Sequence, residues 1–121
     1  MADKSLTASD YPIAENRPDA VIGHRGKPLS SLTMEAVLNG DVTMEDLRIT
    51  PQALEQQAQI SKSAGRSTLA GNFERAAEMT RLSQEKVMAI YELLRPGRAA
   101  SKDSLLDVAQ RLRDEQDAPL L

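Results

Sequence analysis

Large aromatic side chains are almost missing from this chain, which has one Phe, two Tyr and no Trp in 121 residues. Each such ring buries roughly 150–250 Å² and anchors many cores, so a fold built without them has to close on aliphatic residues. Leu, Ile, Val and Phe together number 26, a little over a fifth of the chain. That is just above the level at which chains stay disordered. The length allows one domain, and a small domain buries a modest fraction of its surface. Two readings follow from so thin a core. The chain folds alone as an Ala-rich helical domain, or part of its apolar surface is meant for another chain.

The net charge of −3 is spread over interspersed acids and bases. No clustered basic face of the kind that phosphate backbones require is present, so no nucleic-acid partner is expected. No apolar run approaches the length of a bilayer span, and no membrane partner is expected. The opening stretch MADKSLTASD lacks the apolar segment of a secretory signal. Cysteine is absent, which rules out a disulfide frame and thiolate chemistry and leaves a cytoplasmic protein as the default.

The first thirty or so residues differ in texture from the rest. Asp10-Tyr11-Pro12, Arg17-Pro18-Asp19, Gly23-His24-Arg25-Gly26 and Lys27-Pro28-Leu29 concentrate proline and glycine there. Proline fixes φ and pushes the preceding residue towards extended backbone, which predicts an irregular arm over 1–32. The arm is too poor in apolar residues to fold by itself, so it is expected to be disordered or laid along a partner.

From Thr33 the punctuation is helical, and 33–121 reads as a helical domain. Thr33 can cap a short helix with Gly40 past its end. Thr43 with Asp46 resembles a capping box. Thr50-Pro51 places a cap before proline at the first helical position, predicting a helix to about Ala64 that stops at Gly65. Further helices are expected from Ser67 to about Arg81, after Ser83, and after Ser101. Val87, Ile90, Tyr91 and Leu94 form one helical stripe, as do Leu105, Val108, Ala109 and Leu112. Leu69, Phe73, Ala76, Ala77 and Thr80 form a narrower one of mostly small residues. Leu54, Ala58 and Ile60 make no clean stripe, so the helix over 51–64 has the weakest pattern. The fold class is all-α, with several short-to-medium helices behind an extended, irregular N-terminal arm.

A search for chemistry finds little. His24 is the sole histidine, and without cysteine it cannot anchor a multi-ligand metal site. Its basic surroundings lack the strand–loop–helix context of a phosphate loop and read instead as a backbone turn pressed on a partner. Glu74 and Glu78 share a helical face, but no pocket is evident to split their pKa values. They read as surface charge paired along the helix with Arg75 or Arg81. Ser61, Ser63 and Ser67 have no histidine base beside them. Phe73 and Tyr91 sit on apolar stripes, whereas Tyr11, on an arm without a core, reads as an interface anchor.

The same residues resemble a known family. Asp10-Tyr11-Pro12, Gly26-Lys27-Pro28-Leu29 and Val37-Leu38-Asn39-Gly40-Asp41-Val42 occur in the order seen in small subunits of adenosylcobalamin-dependent diol and glycerol dehydratases. The match continues through Asp46-Leu47-Arg48-Ile49-Thr50-Pro51, Leu54 and Gln57-Ala58. It is strongest at Ala64-Gly65-Arg66, Leu69-Ala70 and Asn72-Phe73-Glu74-Arg75-Ala76-Ala77-Glu78. It runs on through Ile90-Tyr91, Leu93-Leu94-Arg95-Pro96, Arg98, Leu105-Leu106 and Ala109, covering about residues 10–112.

The resemblance implies a non-catalytic subunit of a hydro-lyase that converts 1,2-propanediol or glycerol to an aldehyde by radical dehydration. It implies large (alpha) and medium (beta) subunits as partners, two copies of each of the three chains. Adenosylcobalamin and a metal ion, potassium or calcium, would be held by those subunits and not by this chain, which carries none of the family's catalytic residues. Family members continue past the point matching Leu121 with a further helical segment. Many diol-type small subunits begin with an extension linked to solubility or to packaging in a bacterial microcompartment. Only nine residues precede Asp10 here, which is nearer the glycerol type. The interface expected from these readings uses Tyr11, Pro12, Pro28, Leu29, Leu69, Phe73, Ala76, Ala77 and Tyr91. A stand-alone helical adaptor is the competing reading. A helix-turn-helix nucleic-acid binder is disfavoured by the lack of a basic recognition helix.

Overall fold

The computed structural model describes residues 4–121. Its α-helices are α1 (Ile13–Asn16), α2 (Met34–Leu38), α3 (Met44–Leu47), α4 (Pro51–Ser63), α5 (Ser67–Met79), α6 (Gln84–Leu94) and α7 (Lys102–Gln116). Single 3-10 turns at Ala8–Asp10, Pro18–Ala20 and Leu29–Ser31 punctuate the arm. Among the described residues the one extended pairing is an isolated antiparallel bridge between Ile22 and Pro28. The all-α class therefore holds.

Most helix ends follow from local chemistry. Thr33 accepts a hydrogen bond from the Ala36 N–H, Thr50 from Ala53, Ser83 from Lys86 and Ser101 from Ser104. Each satisfies a donor that the first turn would leave unpaired. At α3 the Asp46 carboxylate accepts the Thr43 N–H at 2.9 Å, the reciprocal half of a capping box. Gly65, at φ +75, closes α4 in the left-handed conformation that glycine adopts without strain. Helix α5 ends at Met79, two residues before the expected Arg81.

Two antiparallel neighbours, α4 and α5, form the central hairpin. Leu54, Ala58, Ile60 and Ser61 are buried on α4, and Ala70, Ala77 and Glu78 on α5. The buried line of α5 thus runs through Ala70 rather than Leu69, about one residue round from the expected stripe. This rotation turns Leu69 outward. Small residues let the two backbones approach closely, and Ala70 is wholly excluded from solvent.

Helix α4 has no single clean stripe because it is covered on two sides. Opposite α5 it receives the arm, which lies along its own chain and not free of it. Leu6 and Ile13 pack with Ile60 into a small core, with Ala20 and Val21 against it. Side chains of α4 hold the arm by its backbone. Gln59 Oε1 accepts the Leu6 N–H at 2.9 Å, Ser63 Oγ accepts the Ala8 N–H at 2.6 Å, and Gln56 Nε2 donates to the Ala20 carbonyl at 3.1 Å.

Candidate functional site

Burial defines the candidate site, because it is so incomplete. Among the described residues no large side chain is fully buried. The region from Met34 to Ile49 is the extreme case. It holds seven large aliphatic side chains, of which Val42 is buried while Met34, Val37, Leu38, Met44, Leu47 and Ile49 are exposed. Leu38 is 79%, Met34 74% and Met44 71% accessible. Among the described residues, no helix packs on α2 or α3 in the way that α5 packs on α4. Single exposed apolar residues are ordinary, but several in sixteen consecutive positions mark an interaction surface.

The two short helices are nonetheless held firmly. The Ala36 carbonyl accepts the N–H groups of Asp41 and Val42, fixing the turn after α2 around Gly40 at φ +79. The Gly23–Lys27 turn presses on α3 of the same chain, where an external partner was expected. Arg25 Nε donates to Asp46 Oδ1 at 2.9 Å and its Nη2 to the Asp41 carbonyl at 2.8 Å. Lys27 Nζ also donates to the Asp41 carbonyl. His24 Nε2 lies 3.0 Å from the Ile49 carbonyl oxygen. The Asp46 side chain is shut off from solvent. The Thr43 N–H, and then the Arg25 and Lys27 charges, hold its pKa below the ordinary carboxylate range against the opposing effect of burial.

The expected interface residues separate into five places. Tyr11, Leu69 and Phe73 come together, lining with Ala8, Gln57, Ile60 and Ala64 an open groove of about 440 Å³ along the arm–hairpin seam. Tyr11 is exposed and Phe73 half-buried there. Pro12 is exposed beside a second groove of about 310 Å³ between the arm and α4. Pro28 and Leu29 are exposed at the Ile22 bridge. Ala76 is half-buried, and Ala77 is buried on α5. Tyr91 is exposed on α6, in an apolar groove of about 210 Å³ with Met79, Leu82, Val87, Ile90, Leu94, Leu112 and Leu121.

The acidic pair on α5 differs from its expected pairing. Glu74 meets Lys62 across the hairpin, Arg75 turns to Asn72, and Arg81 bonds Glu55 at 2.6 Å. Glu78 is buried, and its carboxylate accepts the N–H groups of Leu120 and Leu121. The antiparallel hairpin offers cross-helix partners that displace pairing along the helix. Missed from sequence was the apolar run from Met34 to Ile49. Its signal was present: Met34, Val37 and Leu38, then Met44 and Leu47, repeat at helical spacing in helices too short to bury them internally.

Among the described residues, no group of three or more His, Cys, Asp or Glu side chains could hold a metal ion. No helix among them is long and apolar enough to cross a membrane. Comparison with known proteins gives a consistent match. The family model described as dehydratase small subunit matches residues 6–121. The chain is 44% identical over 117 residues to the propanediol dehydratase small subunit of Salmonella typhimurium (strain LT2), covering 97% of this chain and 67% of that one. It is also 44% identical over 112 residues to the propanediol dehydratase small subunit of Citrobacter freundii, covering 93% and 64%. The chain therefore spans about two thirds of the length of the curated relatives it matches.

Proposed function

This chain belongs to the dehydratase small-subunit family, and from that premise we propose that it is the non-catalytic small subunit of a diol dehydratase. Its role is to dock on and stabilise the larger subunits that carry out the dehydration. The observation that carries this reading is the exposure of the apolar side chains from Met34 to Ile49, together with the open seam at Tyr11, Leu69 and Phe73. A chain with so little internal core leaves this surface without cover until a partner arrives.

The reading extends to a large and a medium subunit, two copies of each chain, with a 1,2-diol as substrate. The names of both relatives favour propanediol over glycerol. Adenosylcobalamin and a potassium or calcium ion belong to the larger subunits. The residues of this chain do not suit either group, since its single imidazole is taken by the Ile49 carbonyl and its buried carboxylates by backbone and guanidinium donors. No step of the reaction is assigned to them. A cytoplasmic setting, with packaging in a microcompartment, completes the proposal. So does the division into an arm over 1–32 and a helical domain over 33–121.

The test is a pull-down of the tagged chain from extract of its native cell, with a cobalamin-dependent diol dehydratase assay on the eluate. Two larger chains and aldehyde production are expected. A solitary, inactive chain that is monomeric and melts cooperatively would replace this reading with the stand-alone adaptor.

A further inference from the structure

The chain consists of two helical hairpins that meet at Thr80–Ser83. The first carries the arm on α4 and α5, and the second pairs α6 with α7. Beyond the turn itself, one side chain makes a polar connection between them among the described residues. Glu78, on the last turn of α5, is 7% accessible, and its Oε2 accepts the N–H of Leu120 and that of Leu121, each at 2.9 Å. Carboxylate acceptors make shorter and stronger hydrogen bonds to backbone N–H than neutral oxygens do. At its other end the same tail is tied to α7. The Leu112 carbonyl accepts the N–H groups of Asp117 and Ala118, Asp117 takes a left-handed turn at φ 51, and Ala118 is buried. The tail therefore bridges α7 to α5 by hydrogen bonds and lies against the apolar side of α6. Leu121 closes one wall of the apolar groove formed by Met79, Leu82, Val87, Ile90 and Leu94.

We propose that Glu78 is the latch of a hinge at Thr80–Ser83. By holding the tail of α7, it fixes the angle between the two hairpins and so the direction in which α6 presents Met88, Tyr91 and Leu94. It is a positioning residue that acts through the Leu120 and Leu121 amides. The inference rests on these contacts and is independent of what the chain assembles with.

The full chain lacks cysteine, so spin labels can be placed cleanly. Thr68→Cys with Gln110→Cys spans the hinge, and Gln52→Cys with Thr68→Cys lies within the first hairpin; all three positions are exposed. In the wild-type background both label pairs should give one narrow distance. Glu78→Ala should abolish the narrow distance across the hinge and leave the first-hairpin distance and the far-UV circular dichroism unchanged. Leu120→Pro removes one donor without touching α5, so it tests the latch even where Glu78→Ala fails to fold. It should broaden the same distance. Glu78→Gln, which keeps an acceptor oxygen, should restore a narrower distribution than alanine. Narrow wild-type distances across the hinge in both Glu78→Ala and Leu120→Pro would overturn the latch in favour of apolar packing alone. Equal broadening of both label pairs would also overturn it, since Glu78 would then support the first hairpin itself.

Discussion

Arg25 Nε lies 2.9 Å from Oδ1 of Asp46, a carboxylate with no solvent exposure, and this contact ties the turn after Ile22 to α3. The Thr43 N–H shares the same carboxylate through its other oxygen. Folding thus lowers the Asp46 pKa. A lowered folded-state pKa contributes stability that is fully present above the ordinary carboxylate range. That stability is lost as the pH falls through the lowered value. Acid titration of the wild type, followed by circular dichroism, should show this loss below about pH 4. Asp46→Asn should be less stable at neutral pH and should flatten that acid limb.

Gly23 lies close against the backbone of α3. A Cβ there would sit 3.1 Å from the Asp46 carbonyl oxygen, a tight contact that the turn and α3 must yield slightly to accept. Gly23→Val should destabilise the chain by about 1–3 kcal/mol through overpacking, and Gly23→Ala by less. Urea denaturation of the two variants would check the order. Equal midpoints for valine and wild type would show that the turn can lift off α3 freely.

The seam residues should matter more for assembly than for folding. Phe73 is half-buried beside exposed Tyr11 and Leu69, so Phe73→Ala should cost the isolated chain less than the roughly 3–5 kcal/mol of a fully buried Phe. It should still weaken association with the proposed partner subunits, as should Tyr11→Ala. Wild-type co-purification of both variants would remove this seam from the interface.

Leu38 and Leu47 offer a sharper contrast, since both are exposed in the folded chain. The double substitution Leu38→Ser and Leu47→Ser should shift folding stability by no more than about 0.5 kcal/mol. Recovery of the larger subunits should nonetheless fall. A large loss of chain stability with normal assembly would reverse the assignment.

The arm is held by side chains that a helical wheel counts as polar and outward. Gln59→Ala and Ser63→Ala each remove an acceptor from an arm N–H and should cost about 0.5–1.5 kcal/mol. Faster hydrogen exchange at the Leu6 and Ala8 amides, with α5 unchanged, is the expected signature.

How much of this was legible in sequence depends on the range of the interaction. Thr33, Thr43, Thr50, Ser83 and Ser101 mark helix starts because a cap reaches only three residues along the chain. Gly40 and Gly65 mark ends for the same reason. Leu69 and Phe73 share a stripe that the sequence shows, but the groove that joins them to Tyr11 comes from the fold. The pairings of Arg25 with Asp46, Gln59 with Leu6 and Glu78 with Leu121 span 21, 53 and 43 positions. No periodicity encodes partners that far apart. The helix over 51–63 looked weakest because two neighbours, one to each side, share its apolar positions. The Met34–Ile49 surface went unremarked because its residues match the composition of a core.

The glutamine-lined side of α4 has a consequence for the order of synthesis. The arm leaves the ribosome before α4, and Gln59 and Ser63, which hold Leu6 and Ala8, follow more than fifty residues later. At the usual pace of translation the arm waits for several seconds with its backbone donors in water. Its prolines and polar residues keep that waiting segment from pairing with the wrong neighbour. The dearth of apolar residues that denies the arm a core of its own also keeps it soluble until α4 emerges.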